Sequence, residues 1–285
     1  MKIDIHVHVT EKEGQKLNGE EIINPQEMIK SMNKRGIYKS ILMSSSEKEE
    51  DVMSNYELRK IVEKYPERYG YMCNIDLDKE DKIEERIKKE KALGALGVGE
   101  LTYNKEIDSE KLFLLFDACQ KNKMPVLFHI SPQIGKYYGV YDEQGLPRLE
   151  KALKKFPQLI FIGHSQPFWF EISKNKENLT IEERNEYPKG KVEEGRLSYL
   201  LRKYKNLYCD LSANSGGNAL MRDKEFGIKF IKEFQDRLMF GTDTYQKDQY
   251  FPLMDYLNKL LEEKEITKEI YNKIFYKNAQ KILNI

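Results

Sequence analysis

The sequence predicts an α/β fold, a (β/α)8 TIM barrel in a single domain over residues 1–285. Three observations carry the prediction. Eight short apolar runs alternate with amphipathic helical stretches at intervals of about 30 residues, as repeated βαβ units require. Most of the runs are apolar throughout, which suits strands buried on both faces. An eightfold alternation in 285 residues also fits the roughly 250 or more residues of a barrel. A doubly wound open sheet is the alternative, but it would place a glycine-rich phosphate turn after the first strand, and the sequence has none there.

The first strand is read over 2–9 (KIDIHVHV) and is followed by a helix over 25–35. YKSILMS (38–44) is the second strand, with a helix over 54–65 that ends at Tyr65-Pro66, where the pre-proline residue disfavours helix. RYGYMCNI (68–75), ALGVGEL (95–101) and PVLFHI (125–130) are strands three to five, with helices over 79–92, 109–122 and 146–156 after them. LIFIGH (159–164), NLYCDLS (206–212) and RLMFGTD (237–243) complete the eight, with helices over 194–204 and 223–234 between them and over 252–262 and 267–283 at the end. The stretch 165–193 is too long for an ordinary connection. It is read either as a cover for the mouth of the barrel or as a surface excursion or subunit contact.

Charge and cysteine usage narrow the function classes. The chain carries 48 Lys+Arg against 47 Asp+Glu, a net charge of +1 that would not draw in a phosphate backbone, so no nucleic-acid partner is expected. No apolar run approaches the roughly 20 residues of a membrane helix, and no signal-peptide core opens the sequence. The three cysteines, Cys73, Cys119 and Cys209, form no CxxC pair or disulfide pattern. They read as small buried hydrophobes of a cytoplasmic protein.

The four histidines point to chemistry. His6 and His8 stand two apart in the first strand, so a period of two puts both on one face; His129 ends strand five and His164 ends strand six. Catalytic groups of this fold come from such strand ends. Glu100 closes strand four and Asp243 follows strand eight, and a carboxylate ending an apolar run is costly unless paired or metal-bound. Four imidazoles and two carboxylates at one mouth make a divalent-cation site for one or two ions. The nitrogen and oxygen donors suit Zn²⁺ first, with Mn²⁺, Fe²⁺ or Co²⁺ also acceptable. His164 is either a ligand or a free acid/base. Asp4 shares the parity of His6 and either braces it or is a solvated strand-start residue.

With these residues in place the chain resembles the amidohydrolase superfamily, and within it the amidohydrolase-2 family of TIM-barrel metal-dependent hydrolases, which also contains nonoxidative decarboxylases. The matching residues are IDIHVH (3–8), LFHIS (127–131), IGHSQ (162–166), DLSA (210–213), FGTD (240–243) and the closing KNAQKIL (277–283). The resemblance implies that His6, His8 and Asp243 bind one metal, and that His129 completes that site or joins His164 at a second. It also implies a homodimer. Glu100 matches the bridging acid of hydrolase branches, and strand two is followed by Ser44-Ser45-Ser46 rather than an arginine for a substrate carboxylate.

Together these features predict hydrolysis of a small-molecule substrate, an amide, lactam, ester or lactone, with Asp243 as general base and then acid and with the metal or His164 stabilising the oxyanion. Tyr103, Ser131 and Trp169 are the expected substrate contacts, although Phe168-Trp169-Phe170 would equally anchor the long loop to the barrel rim. The rivals are a decarboxylase of an aromatic or unsaturated acid, a TatD-like nuclease or phosphoesterase, and a metal-binding protein without catalysis.

Overall fold

The computed structural model describes residues 1–79 and 82–285; Glu80 and Asp81, at the start of the helix predicted over 79–92, lie outside the described residues. Among the described residues, eight parallel strands of the barrel form where the apolar runs predict them: β1 (Ile3–Val7), β2 (Lys39–Met43), β3 (Tyr69–Met72), β4 (Val98–Leu101), β5 (Val126–Ser131), β6 (Phe161–His164), β7 (Leu207–Asp210) and β8 (Leu238–Met239). Neighbours pair in chain order, for example Ser40 with Tyr69, Val98 with Val126 and Leu207 with Phe161.

Two seams close the cylinder. Between β3 and β4, the Cys73 amide donates to Gly97 O and the Gly99 amide to Cys73 O, both at 2.9 Å. Between β8 and β1, the Ile5 amide donates to Phe240 O at 3.0 Å and the Asp243 amide to His6 O at 2.8 Å. Ile3, Ile5, Ile41, Met43, Met72, Leu127, Ile162 and Met239 fill the barrel interior, and Ala279 and Leu283 pack against them from the C-terminal helix. Helices at Pro25–Arg35, Asn55–Lys64, Ile83–Ala92, Glu110–Lys121, Pro147–Lys155, Arg196–Lys203, Lys224–Phe234 and Leu253–Glu262 surround the strands. Asn24 and Ser54 cap the first two by accepting from backbone amides of the opening turn.

Four local departures from the sequence reading have physical reasons. Strand eight stops at Met239, because the Phe240 amide turns away to Ile274 O (2.9 Å) and Asp243 is left-handed at φ 57°. That carbonyl is free to accept because the C-terminal helix, expected to run unbroken over 267–283, widens into a π-turn at Lys273–Lys277. A helix at Ala213–Met221 was not expected, since its ANSGG opening lacks an apolar period. The 165–193 stretch is also partly helical, at Gln166–Phe170 and Ile181–Arg184. Among the described residues no helix is long and apolar enough to cross a membrane. Cys73, Cys119 and Cys209 are free thiols in the core.

Candidate metal centre

All six predicted ligands converge at the C-terminal ends of the strands. β1 alternates so that Asp4, His6 and His8 share a face, and the pairing of β5 with β6 sets His129 directly beside His164. His6 Nε2 lies 3.2 Å from His8 Nε2 and 3.6 Å from Asp243 Oδ1, which is 3.1 Å from His8 Nε2. Across the mouth, His129 Nδ1 is 2.8 Å from Glu100 Oε1, and His164 Nε2 is 3.8 Å from the same oxygen. Glu100 therefore faces both ways, since its other oxygen lies 3.9 Å from His6 Nε2.

Asp210, at the end of β7, organises the centre from behind. Its Oδ2 accepts from Ser212 Oγ at 2.6 Å and lies 2.8 Å from His6 Nδ1 and 3.1 Å from His164 Nδ1. Both imidazoles thus donate their inner nitrogen to one buried carboxylate, which turns each Nε2 toward the mouth. Gly241 makes room for this hub, because a Cβ there would fall 2.6 Å from Asp210 Oδ1. Asp4 acts one layer deeper: it accepts from the His6 amide at 3.2 Å and from the Thr242 amide and hydroxyl at 2.9 and 2.6 Å, tying β1 to the segment that carries Asp243.

The electrostatics follow from three carboxylates in a buried pocket. Burial alone would lower the pKa of His6, but the charges of Asp243, Asp210 and Glu100 raise it to about 10. His164 is raised in the same way, against burial, chiefly by its bond to Asp210, whereas burial dominates at His129 and lowers it. Although burial opposes it, Glu100 is held well below the usual carboxylate range by His129, and Asp210 by His164 and His6. Burial also opposes the lowering of Asp243, which is driven by the charge of His6 and by His8. Asp4, whose surroundings are chiefly desolvating, is raised to about 7.

This donor set fits a divalent cation. Two groups, His6, His8 and Asp243 and then Glu100, His129 and His164, each bring three nitrogen or oxygen donors within 4.8 Å of one another. A third group, His6, His164 and Asp210, has its donors within the same span. Its nitrogens are the inner ones already bonded to Asp210, so it acts as a brace. Acceptor atoms facing one another are favourable only around positive charge, which a proton on His6 supplies in part and a metal ion would supply in full.

The three predicted substrate contacts are each engaged by protein groups. Trp169 is buried in the core, and its indole N–H donates to Asp210 O at 2.9 Å, so it positions β7 instead of lining the mouth. The Ser131 hydroxyl donates within its own loop, to Gln133 O (2.7 Å) and Tyr137 O (3.3 Å). Tyr103 donates to Asp78 at 2.9 Å. The sequence reading assigned no role to Asp210 or Ser212, although Asp210 ends its apolar strand as Glu100 does and stands in the DLSA segment. It also missed Tyr138, whose ring lies 4.2 Å from that of His129; a loop tyrosine carries no periodic signal.

A family model described as Amidohydrolase, that of the amidohydrolase-2 family, matches residues 3–285. The chain belongs to the amidohydrolase-2 family. It is accordingly an enzyme of that family, built on the family's TIM barrel. Among solved structures it is similar to an uncharacterised TIM-barrel protein from Bordetella bronchiseptica, at 16% identity over 99% of this chain and 98% of that one, with a TM-score of 0.66. It is also similar to a 5-carboxyvanillate decarboxylase from Novosphingobium aromaticivorans with bound manganese (16%, 100% and 97%, TM-score 0.65). A probable 2-pyrone-4,6-dicarboxylic acid hydrolase from Acinetobacter baumannii with citric acid bound is a further match (13%, 100% and 99%, TM-score 0.62). At these identities the likeness is one of fold. No curated protein matches this amidohydrolase-2 chain significantly.

Proposed function

We propose that this chain is a metal-dependent hydrolase of a small amide, lactam, ester or lactone, with two divalent ions held by His6, His8 and Asp243 and by Glu100, His129 and His164. Zn²⁺ is the first choice on donor chemistry, with Mn²⁺, Fe²⁺ or Co²⁺ also suited. The observation that carries this reading is Glu100, whose two oxygens face the two donor groups. A second observation agrees with it: Arg148 is tied to Glu143 and Asp108, so its guanidinium is not free for a substrate carboxylate.

A bound divalent ion lowers the pKa of water from near 16 towards roughly 7 and polarises a carbonyl. The protein's own groups do the rest. Asp243 is the most exposed of the six, with 25% of its side chain accessible, and would take the water's proton and return it to the leaving group. His164, held at Nδ1 by Asp210 and Ser212, would turn Nε2 to the second ion, and only where it holds no metal would that nitrogen meet the developing oxyanion.

The decarboxylase alternative draws support from that same His164, whose Nε2 is 3.8 Å or more from Glu100 and Asp243 and so is available to act on substrate without holding metal. Elemental analysis of the protein purified without chelator, paired with anomalous scattering, separates the two. Two ions per chain, with one lost in Glu100→Gln, and turnover of lactones or amides are expected. One ion per chain and CO₂ release from aromatic acids would overturn the hydrolase reading.

A further inference from the structure

The loop leaving β5 returns along the rim as a two-residue strand, Val140–Tyr141, which pairs with Ile130 and Ser131. Gly139, just ahead of it, runs at φ 108°, and a Cβ there would fall 2.6 Å from His129 O and 2.8 Å from His129 Cδ2. Only glycine lets the backbone come so close to this histidine. That contact fixes the preceding residue, Tyr138, whose ring centroid lies 4.2 Å from that of His129 with the planes tilted by 42°. Although it rests on a buried histidine, Tyr138 is 57% exposed, so its outer face is open to whatever enters the mouth. The neighbouring Tyr187 hydroxyl accepts from Gln166. The Tyr138 hydroxyl has no partner among the described residues. A large aromatic ring held by its backbone against a candidate ligand, with an unengaged O–H, is a surface shaped for a ligand rather than for packing.

We propose that Tyr138 is a catalytic residue of this site. Its ring forms one wall for a flat, unsaturated carbonyl compound, and its phenolic O–H donates a hydrogen bond to that compound's carbonyl oxygen. The proposal rests on the hydrolase reading and adds to it a donor that belongs to no strand end. A phenol, with an ordinary pKa near 10, is a neutral donor at neutral pH and strengthens its bond as negative charge grows on the oxygen.

Dihydrocoumarin, a lactone fused to an aromatic ring, and γ-butyrolactone, which has no such ring, are the probes for the metal-loaded full chain. Tyr138→Phe keeps the ring, and it should lower kcat on dihydrocoumarin by about 10- to 100-fold with KM and metal content unchanged. Tyr138→Ala should in addition raise KM, more for dihydrocoumarin than for γ-butyrolactone. An unchanged kcat in Tyr138→Phe would overturn the proposal. If the wild type cleaves neither lactone, the hydrolase reading is decided by the ion count and the amide assays above, and calorimetric titration with benzoate decides the role of Tyr138. Binding weakened about fivefold or more in Tyr138→Phe supports it; equal affinity, or no binding to the wild type, refutes it.

Discussion

Asp210 receives the inner nitrogens of His6 and His164 and the hydroxyl of Ser212 at a single oxygen, so one buried side chain orients an imidazole from each side of the centre. Asp210→Asn keeps the shape but offers one acceptor where three donors meet. Metal affinity should drop by about 10- to 100-fold, read by competition with a chromogenic chelator, with a smaller drop for Ser212→Ala. The charges also set a pH dependence. Asp210 and Glu100 are depressed in the fold, so their contribution is present above the ordinary carboxylate range and lost as pH falls through their folded values. His6 moves the other way, from 6.5 to about 10, so its contribution is complete below 6.5 and lost as pH rises through about 10. The metal-free protein should therefore lose thermal stability between pH 6.5 and 10. Metal-loaded protein should not follow that trend, because the ion takes over the role of the proton; a scan of Tm against pH with and without Zn²⁺ tests both statements.

At the scale of elements, Gln166–Phe170 is the clearest case of partial legibility. The sequence offered Phe168-Trp169-Phe170 as a substrate clamp or as an anchor. The apolar run shows that these rings are sticky, but only the fold shows which side they stick to: all three are buried, and Trp169 holds the end of β7 by its indole N–H. Trp169→Phe should cost about 1 kcal/mol through the lost hydrogen bond and Trp169→Ala about 3–5 kcal/mol through the cavity, both measurable by urea denaturation. The histidines were legible because alternation and strand ends are properties of sequence alone. Asp210 was harder, since an acid closing a strand looks the same whether it binds a metal or braces a ligand. Tyr138 was out of reach, for its position depends on the φ of Gly139 and on a two-residue strand.

For the whole molecule, eight apolar runs in register with helices were enough to foretell a closed barrel, because few other folds bury that many strands on both faces. What the sequence leaves open is how the last strand is secured. β8 pairs with β7 over only Leu238 and Met239, and beyond that point the chain relies on Asp4, on the β1 backbone and on the carbonyl of Ile274. Asn278 adds to the attachment by donating to Leu238 O at 2.8 Å.

The π-turn thus acts beyond the helix that carries it. By lending a carbonyl to Phe240, it puts the final helix and the acid at Asp243, three residues further on, on one mechanical tether. Fraying at the carboxyl terminus should then reach the reaction chamber. In hydrogen–deuterium exchange, the Phe240 amide should open together with those of residues 274–283, and much sooner than Ile162 in the centre of the sheet. Uniform protection of Phe240 and Ile162, with the terminal helix exchanging alone, would show that the two ends of the molecule are uncoupled.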